Sequence, residues 1–413
     1  MFVFIIAALA TGAACVLFAR AFDWALRCRL DFMSVGHWAW VITPLGFVVA
    51  VEIIRRTAPF AAGTGIPQTI FASEHFTAEN EAKVYPLLSP RTVTVKIGTL
   101  LLGVWVGAST GREGPTVHIA AGVFLGTLLL FRRWLGFEFD RRSAAIAGGA
   151  AGLAAAFNTP LAGVTFAIEE LSENYFSSVK DIVLMAIIVS AVVAKMLTGE
   201  YAYFGRLGEP SSLPFLAVLL IGVISGGAGM LFGTLLLRGS EVFKRYSRGS
   251  MRFSLPIAMA FGLLVVAKAV GTHTLGPGNL IAQDLLNDHF GSWAFVFPWA
   301  KMATTLMTYW SGLSGGIFAP CLAMGAGIGA DIGQWTHLSI STCALIGMAA
   351  FLSGAIQAPM TSFVIIFEMT GYHQMLLPLM LASMLPFMLA RLLGVPHLYK
   401  SLAAAYEPIL KKK

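Results

Sequence analysis

The sequence predicts an all-α integral membrane protein made of two inverted-topology repeats of tilted, broken and re-entrant helices. Composition is the first reason: 57% of the 413 residues are hydrophobic, 12% are charged, and the mean hydropathy is +0.77. A soluble domain would carry about a quarter charged residues. Punctuation is the second reason, because 43 glycines and 18 prolines cut the apolar runs into pieces, several shorter than the ~20 residues a spanning helix needs. Backbone freed by such breaks survives at membrane depth only where protein buries it or a cavity receives it. An internal repeat is the third.

In chain order the apolar stretches fall at about 2–18, 41–54, 95–109, 116–131, 144–168, 182–197, 213–238, 254–272, 292–313, 316–336, 343–367 and 375–395. The first lacks a basic leader and continues into Arg20, Asp23 and Arg27, so it reads as a retained helix and not as a cleaved signal peptide. Cys15, Cys28, Cys321 and Cys343 lie in or beside apolar runs without a CxxC spacing, which implies neither a disulfide framework nor a zinc site. The net charge of +7 sits between apolar runs, in Arg55-Arg56, Arg132-Arg133 with Arg141-Arg142, Lys244-Arg245 with Arg248 and Arg252, and Lys411 to Lys413. The loops 273–291 and 335–343 hold no Lys or Arg. That asymmetry is the positive-inside pattern: it puts the clusters and the C-terminus in the cytoplasm and argues for a lipid bilayer, not nucleic acid, as the surroundings.

Laid on itself, the chain repeats. Gly148, Ala150, Ala151, Leu153, Ala156, Pro160 and Glu169 recur as Gly347, Ala349, Ala350, Leu352, Ala355, Pro359 and Glu368, an offset of 199 (359 − 160). Lys96, Gly107 and Pro115 recur as Lys301, Gly312 and Pro320, an offset of 205 (320 − 115). Between these blocks the first copy carries the basic 132–142 segment and the second the uncharged 336–342 segment, so one loop reads as inside and the other as outside. Two repeats are therefore expected, 1–205 and 206–413, with the substrate site at their interface near the midplane.

Glu113, in Gly111-Arg112-Glu113-Gly114-Pro115, is the first candidate for function. A carboxylate at membrane depth is costly and is kept mainly where it faces a pathway for ions or protons. Broken-helix starts are read at Gly63-Thr64-Gly65-Ile66-Pro67, at Gly111 to Pro115, at Gly315-Gly316-Ile317-Phe318-Ala319-Pro320, and in the tail near Tyr399. Helix starts offer free N–H groups and partial positive charge, so several aimed at one point bind an anion without a metal or cofactor. Thr64 and Tyr399 are neutral O–H donors that suit a site which must release its ion; a local cap and an interface anchor are their other readings. Lys96 and Lys301 each lie 19 residues before a motif proline (115 − 96 and 320 − 301). They read either as a diffuse positive potential along an anion path or as snorkelling lysines. Gly107-Ala108-Ser109-Thr110-Gly111 formally matches GxSxG, but a nucleophile elbow needs a strand-to-helix turn, and no enzyme is expected.

In their order, GxGIP, GREGP and GxFxP followed by a late tyrosine resemble the CLC family of chloride channels and proton/chloride antiporters, from about residue 1 to 405. The resemblance implies a homodimer with one pathway per subunit, chloride or a similar small monovalent anion as substrate, and protons as partner. It implies that Glu113 is the gating glutamate. Thr64, with Gly65 and Ile66 of the same motif, Tyr399, and the backbone amides of Arg112, Glu113, Gly114, Ile317, Phe318 and Ala319 would bind the anion. Glu170, second of the pair Glu169-Glu170, matches the internal proton-transfer glutamate of the antiporter branch; a solvated helix-end acid is its other reading. Glu169 and Glu368 receive no transport role. Thr64 stands where serine is usual, so its extra methyl bears on selectivity, and the regulatory nucleotide-binding domain pair of many relatives is not expected here. The expected activity is proton/chloride exchange in a bacterial plasma membrane, with a passive voltage- or pH-gated chloride channel as the alternative.

Overall fold

A computed structural model describes residues 2–33, 36–135, 139–172, 176–199, 203–204, 209–246, 251–289, 291 and 294–411. The expected boundary at 205/206, and Arg248, Lys412 and Lys413 of the basic clusters, lie outside the described residues. The first half of the chain forms α1 (Phe2–Met33), α2 (Ala39–Thr57), α3 (Ile66–His75), α4 (Glu81–Leu88), α5 (Pro90–Trp105), α6 (Glu113–Leu130), α7 (Arg132–Leu135), α8 (Arg141–Phe157), α9 (Pro160–Phe166) and α10 (Phe176–Thr198). The second half forms α11 (Phe215–Tyr246), α12 (Met251–Val270), α13 (Asn279–Leu286), α14 (Phe297–Trp310), α15 (Phe318–Thr336), α16 (Ile340–Ile356), α17 (Pro359–Thr370), α18 (Leu376–Leu392), α19 (Leu398–Ala404) and α20 (Pro408–Lys411). Among the described residues seven helical stretches are long and apolar enough to cross a membrane, and there is no strand beyond two isolated backbone bridges.

Local chemistry fixes the helix ends, and it does so twice. Asp140 caps α8 by accepting from the N–H groups of Arg142 and Ser143, and Ser339, 199 residues on (339 − 140), caps α16 by accepting from the Thr342 N–H. Both helices stop at a residue in the left-handed region, Asn158 (φ 58°) and Gln357 (φ 60°), and restart at Pro160 and Pro359, whose missing N–H costs nothing in a first turn. The stretch 144–168, read as one apolar run, is therefore two helices with a break at Asn158-Thr159. The Lys- and Arg-free stretch 273–291, read as a loop, contains α13.

The two halves meet backbone to backbone. Gly111 N–H donates to the Gly316 carbonyl (2.8 Å) and Gly316 N–H donates back to Gly111 (2.9 Å), and these residues are related by the 205 offset (316 − 111). A Cβ on Gly316 would lie 3.0 Å from the Gly111 carbonyl oxygen and 3.0 Å from Pro115 Cδ, so a larger residue would have to push the two backbones apart.

Glutamates complete the exchange. Glu169 accepts from the Met360 and Thr361 N–H groups (2.8 and 2.7 Å) at the start of α17, and Glu368 accepts from the Leu161 and Ala162 N–H groups (3.0 and 2.8 Å) at the start of α9. Each half thus caps a helix of the other, with negative charge on the positive end of the helix. Glu368→Ala is expected to cost about 1–2 kcal/mol, the range for losing a helix cap, and to lower the thermal unfolding midpoint of the detergent-solubilised protein; an unchanged midpoint would mean the cap is idle.

Candidate functional site: a buried carboxylate among broken-helix tips

Three chain breaks are brought together. Gly65 has φ +95°, and a Cβ there would collide with His118 of α6, at 2.5 Å from its Cβ and 2.9 Å from its ring, while a Cβ on Gly114 would lie 3.1 Å from the Thr64 carbonyl oxygen. The GTGIP break therefore leans on the first turns of α6. A Cβ on Gly111 would lie 3.0 Å from Ala319 Cβ, so the start of α15, with Ile317 as its N-cap, closes the other side.

Glu113 opens α6 and is 1% exposed. Its Oε2 accepts from the Ala319 N–H (3.4 Å), in the first turn of α15, and its Oε1 accepts from the Tyr203 hydroxyl (2.9 Å). A carboxylate of the chain thus rests on a helix tip of the kind that receives small anions. The Arg112 guanidinium pairs with Asp23 of α1 at 2.8 Å. The gate candidate sits against protein, not lipid.

Thr64 and Tyr399 flank the same region. Both are buried, and among the described residues neither hydroxyl has a hydrogen-bond partner. A buried donor left without a partner costs about 1–3 kcal/mol, so two such hydroxyls call for something to donate to. The Tyr399 ring stacks on Phe318 with centroids 6.2 Å apart, which ties it to the α15 start. A cavity of about 340 Å³, lined by Arg55, Gly63, Thr64, Tyr309 and Tyr406 among others, reaches Thr64.

Glu170 lies in a π-helical turn, Ala167–Leu171, that ends α9. The wider turn separates the two acids: Glu169 faces the α17 start, whereas Glu170 is buried with its Oε1 3.5 Å from His397 Nε2. His397 is partly exposed, and it is the N-cap of α19, which carries Tyr399.

Lys96 and Lys301 are both fully buried. Lys96 Nζ donates to the Gly63 carbonyl (2.9 Å) and to Ser314 Oγ (3.4 Å); Lys301 Nζ donates to the carbonyls of Gly276 and Thr274 and to Ser109 Oγ (2.9 Å). Ser109 and Ser314 are again 205 apart (314 − 109), so each lysine reaches across to the other half. Snorkelling does not describe them. Ser109 Oγ accepts from Lys301 and Thr304, donates to the Thr274 carbonyl (3.2 Å) and lies 3.0 Å from Thr305 Oγ1, and among the described residues no histidine or carboxylate touches it. His118 is buried and its Nε2 lies 2.7 Å from the Leu87 carbonyl.

Sequence reasoning missed three features. Gly276-Pro277-Gly278 is a further broken start, with φ +65° and +84° against +66° and +95° at Gly63 and Gly65; a comparison at an offset of 213 (276 − 63) would have found it. Tyr203 carries no motif. His397 owes its place to a contact between distant elements.

A family model described as "voltage gated chloride channel" matches residues 45–391. The H(+)/Cl(−) exchange transporter ClcA of Salmonella agona is 32% identical over 416 residues, covering 95% of this chain and 86% of that protein, and its counterpart in Citrobacter koseri is 32% identical over 417 residues with the same coverage. The solved structure of a slow cyanobacterial Cl−/H+ antiporter superposes with a TM-score of 0.83 at 22% identity, covering 100% of this chain and 98% of that one. A eukaryotic CLC transporter gives 0.81 at 22% identity, covering 98% and 74%; these two likenesses speak to the fold. The ordered motifs, the twice-capped helix pairs and the match over most of the length agree: the chain is a multi-pass membrane protein that belongs to the voltage-gated chloride channel, or CLC, family.

Proposed function

We propose that this protein exchanges chloride, or a similar small monovalent anion, for protons across the plasma membrane of a bacterium, with its C-terminus in the cytoplasm. The observation that carries the reading is the seat of Glu113: its carboxylate accepts from the Ala319 N–H at the tip of α15. A carboxylate and a halide are monovalent anions of comparable size, so the two compete for one place. Protonation takes away the side chain's claim on it. Anion occupancy and proton binding are then linked, and each tunes the other.

In this reading Thr64 and Tyr399 donate to the anion with neutral hydroxyls, and the N–H groups of Arg112, Glu113, Gly114, Ile317, Phe318 and Ala319 complete its path, beside Gly65 and Ile66. The cavity at Thr64 is the cytoplasmic approach, with Arg55 on its wall. Lys96 and Lys301, held by carbonyl and hydroxyl oxygens and by no carboxylate among the described residues, bias the path toward anions without touching the ion. Glu170, buried away from that cavity's lining, is the proton way-station, and His397 lies between it and the exposed side. The halves 1–205 and 206–413 are the two repeats, and two copies pair, each with its own path, as the resemblance to the CLC family implies.

The test is paired flux in liposomes, with chloride and proton movement recorded together. An imposed chloride gradient is expected to drive protons uphill in the opposite direction; chloride current with no proton movement would make the protein a passive channel.

A further inference from the structure

Tyr203 lies outside every motif, yet its hydroxyl donates to Glu113 Oε1 at 2.9 Å, a shorter bond than the 3.4 Å from the Ala319 N–H to Oε2; the backbone N–H of Glu113 itself also bonds the carboxylate. The residue is 8% exposed. Its ring is wedged between Phe157 (centroids 5.4 Å apart) and Phe204 (5.0 Å, edge-on), and Phe157 in turn meets Phe318 (6.1 Å) at the start of α15. The phenol is therefore aimed by packing, and little freedom remains for its oxygen. A neutral donor facing a carboxylate makes a charge-assisted bond, stronger than one to a neutral acceptor.

We infer that Tyr203 is a latch on the gate: it holds the charged Glu113 side chain in its seat and so sets how hard an anion must compete for that seat. The inference rests on the shared-seat reading above and adds to it a positioning residue. Its action on the anion passes through the Glu113 carboxylate. When that carboxylate is charged, the O–H bond favours the side chain over the incoming anion; when it is protonated or displaced, the latch has little to hold. Ala319 receives and Tyr203 restrains, from opposite oxygens of one carboxylate.

The prediction is a background-dependent change in anion affinity. Chloride is titrated calorimetrically into the detergent-solubilised full-length protein, its Tyr203→Phe variant, Glu113→Gln, and the double variant. Tyr203→Phe keeps the ring and removes the donor. It is expected to tighten apparent chloride binding by about ten- to a hundredfold, the scale of a lost hydrogen bond to a charged group, and to give no gain in the Glu113→Gln background. This non-additivity is what a purely structural role would not produce. Tyr203→Leu, read the same way, serves if Tyr203→Phe elutes as an aggregate. If Glu113→Gln itself fails to bind chloride more tightly than the parent, the shared seat is wrong and the latch falls with it. If Glu113→Gln tightens binding while Tyr203→Phe gives no gain, or gives an equal gain in both backgrounds, the latch alone is overturned.

Discussion

Glu113→Gln is expected to abolish proton transport while anion flux continues. The amide has nearly the shape of the carboxylate but neither its charge nor its proton chemistry, so it cannot ferry a proton, and it competes poorly for the Ala319 N–H at the tip of α15. Proton movement in liposomes should fall to the level of protein-free vesicles, and chloride flux should no longer respond to a proton gradient. Proton flux that survives this substitution would place the coupling residue elsewhere. The effect is large because nothing else in the seat can take the part: Arg112 is committed to Asp23, and Thr64 and Tyr399 offer only neutral hydroxyls.

Glu170→Ala is the second expected loss, and its signature differs. Anion binding at the Glu113 seat should be intact, because Glu170 sits in the π-helical end of α9 and its carboxylate faces His397. Proton coupling should vanish all the same, since the proton's route toward Glu113 loses its buried step. Paired flux recordings separate the cases: unchanged chloride affinity with proton flux at background supports the way-station, and full coupling without Glu170 removes it. The neighbouring Glu169 makes the comparison sharper. It is engaged by two N–H groups of α17, so its loss is a matter of stability.

How much of this was legible beforehand follows from the physics of each feature. The apolar composition, the positive-inside asymmetry and the offsets of 199 and 205 are properties of the chain as a string, and they were enough for the fold class and for the repeat; that Glu169 and Glu368 each cap a helix of the other half became visible only in the packed structure. The helix breaks were legible where glycine and proline stand in the order of the first motif. At Gly276-Pro277-Gly278 the proline has moved between the glycines and the spacing has changed, so the same φ values were hidden from the comparison. The pair Glu169-Glu170 could not be resolved from sequence, because which acid faces inward depends on a π turn that shifts the helical phase. Tyr203 and His397 meet Glu113 and Glu170 from elements far along the chain. Such contacts exist only after packing, and no local pattern announces them.

Anomalous scattering from bromide, collected on crystals of the parent protein and of Glu113→Gln, tests the shared seat most directly. The account predicts a bromide peak within hydrogen-bond reach of the Ala319 N–H in Glu113→Gln, where the parent holds its carboxylate, and no peak at that place in the parent. The same peak in both proteins, or none there in either, would contradict it.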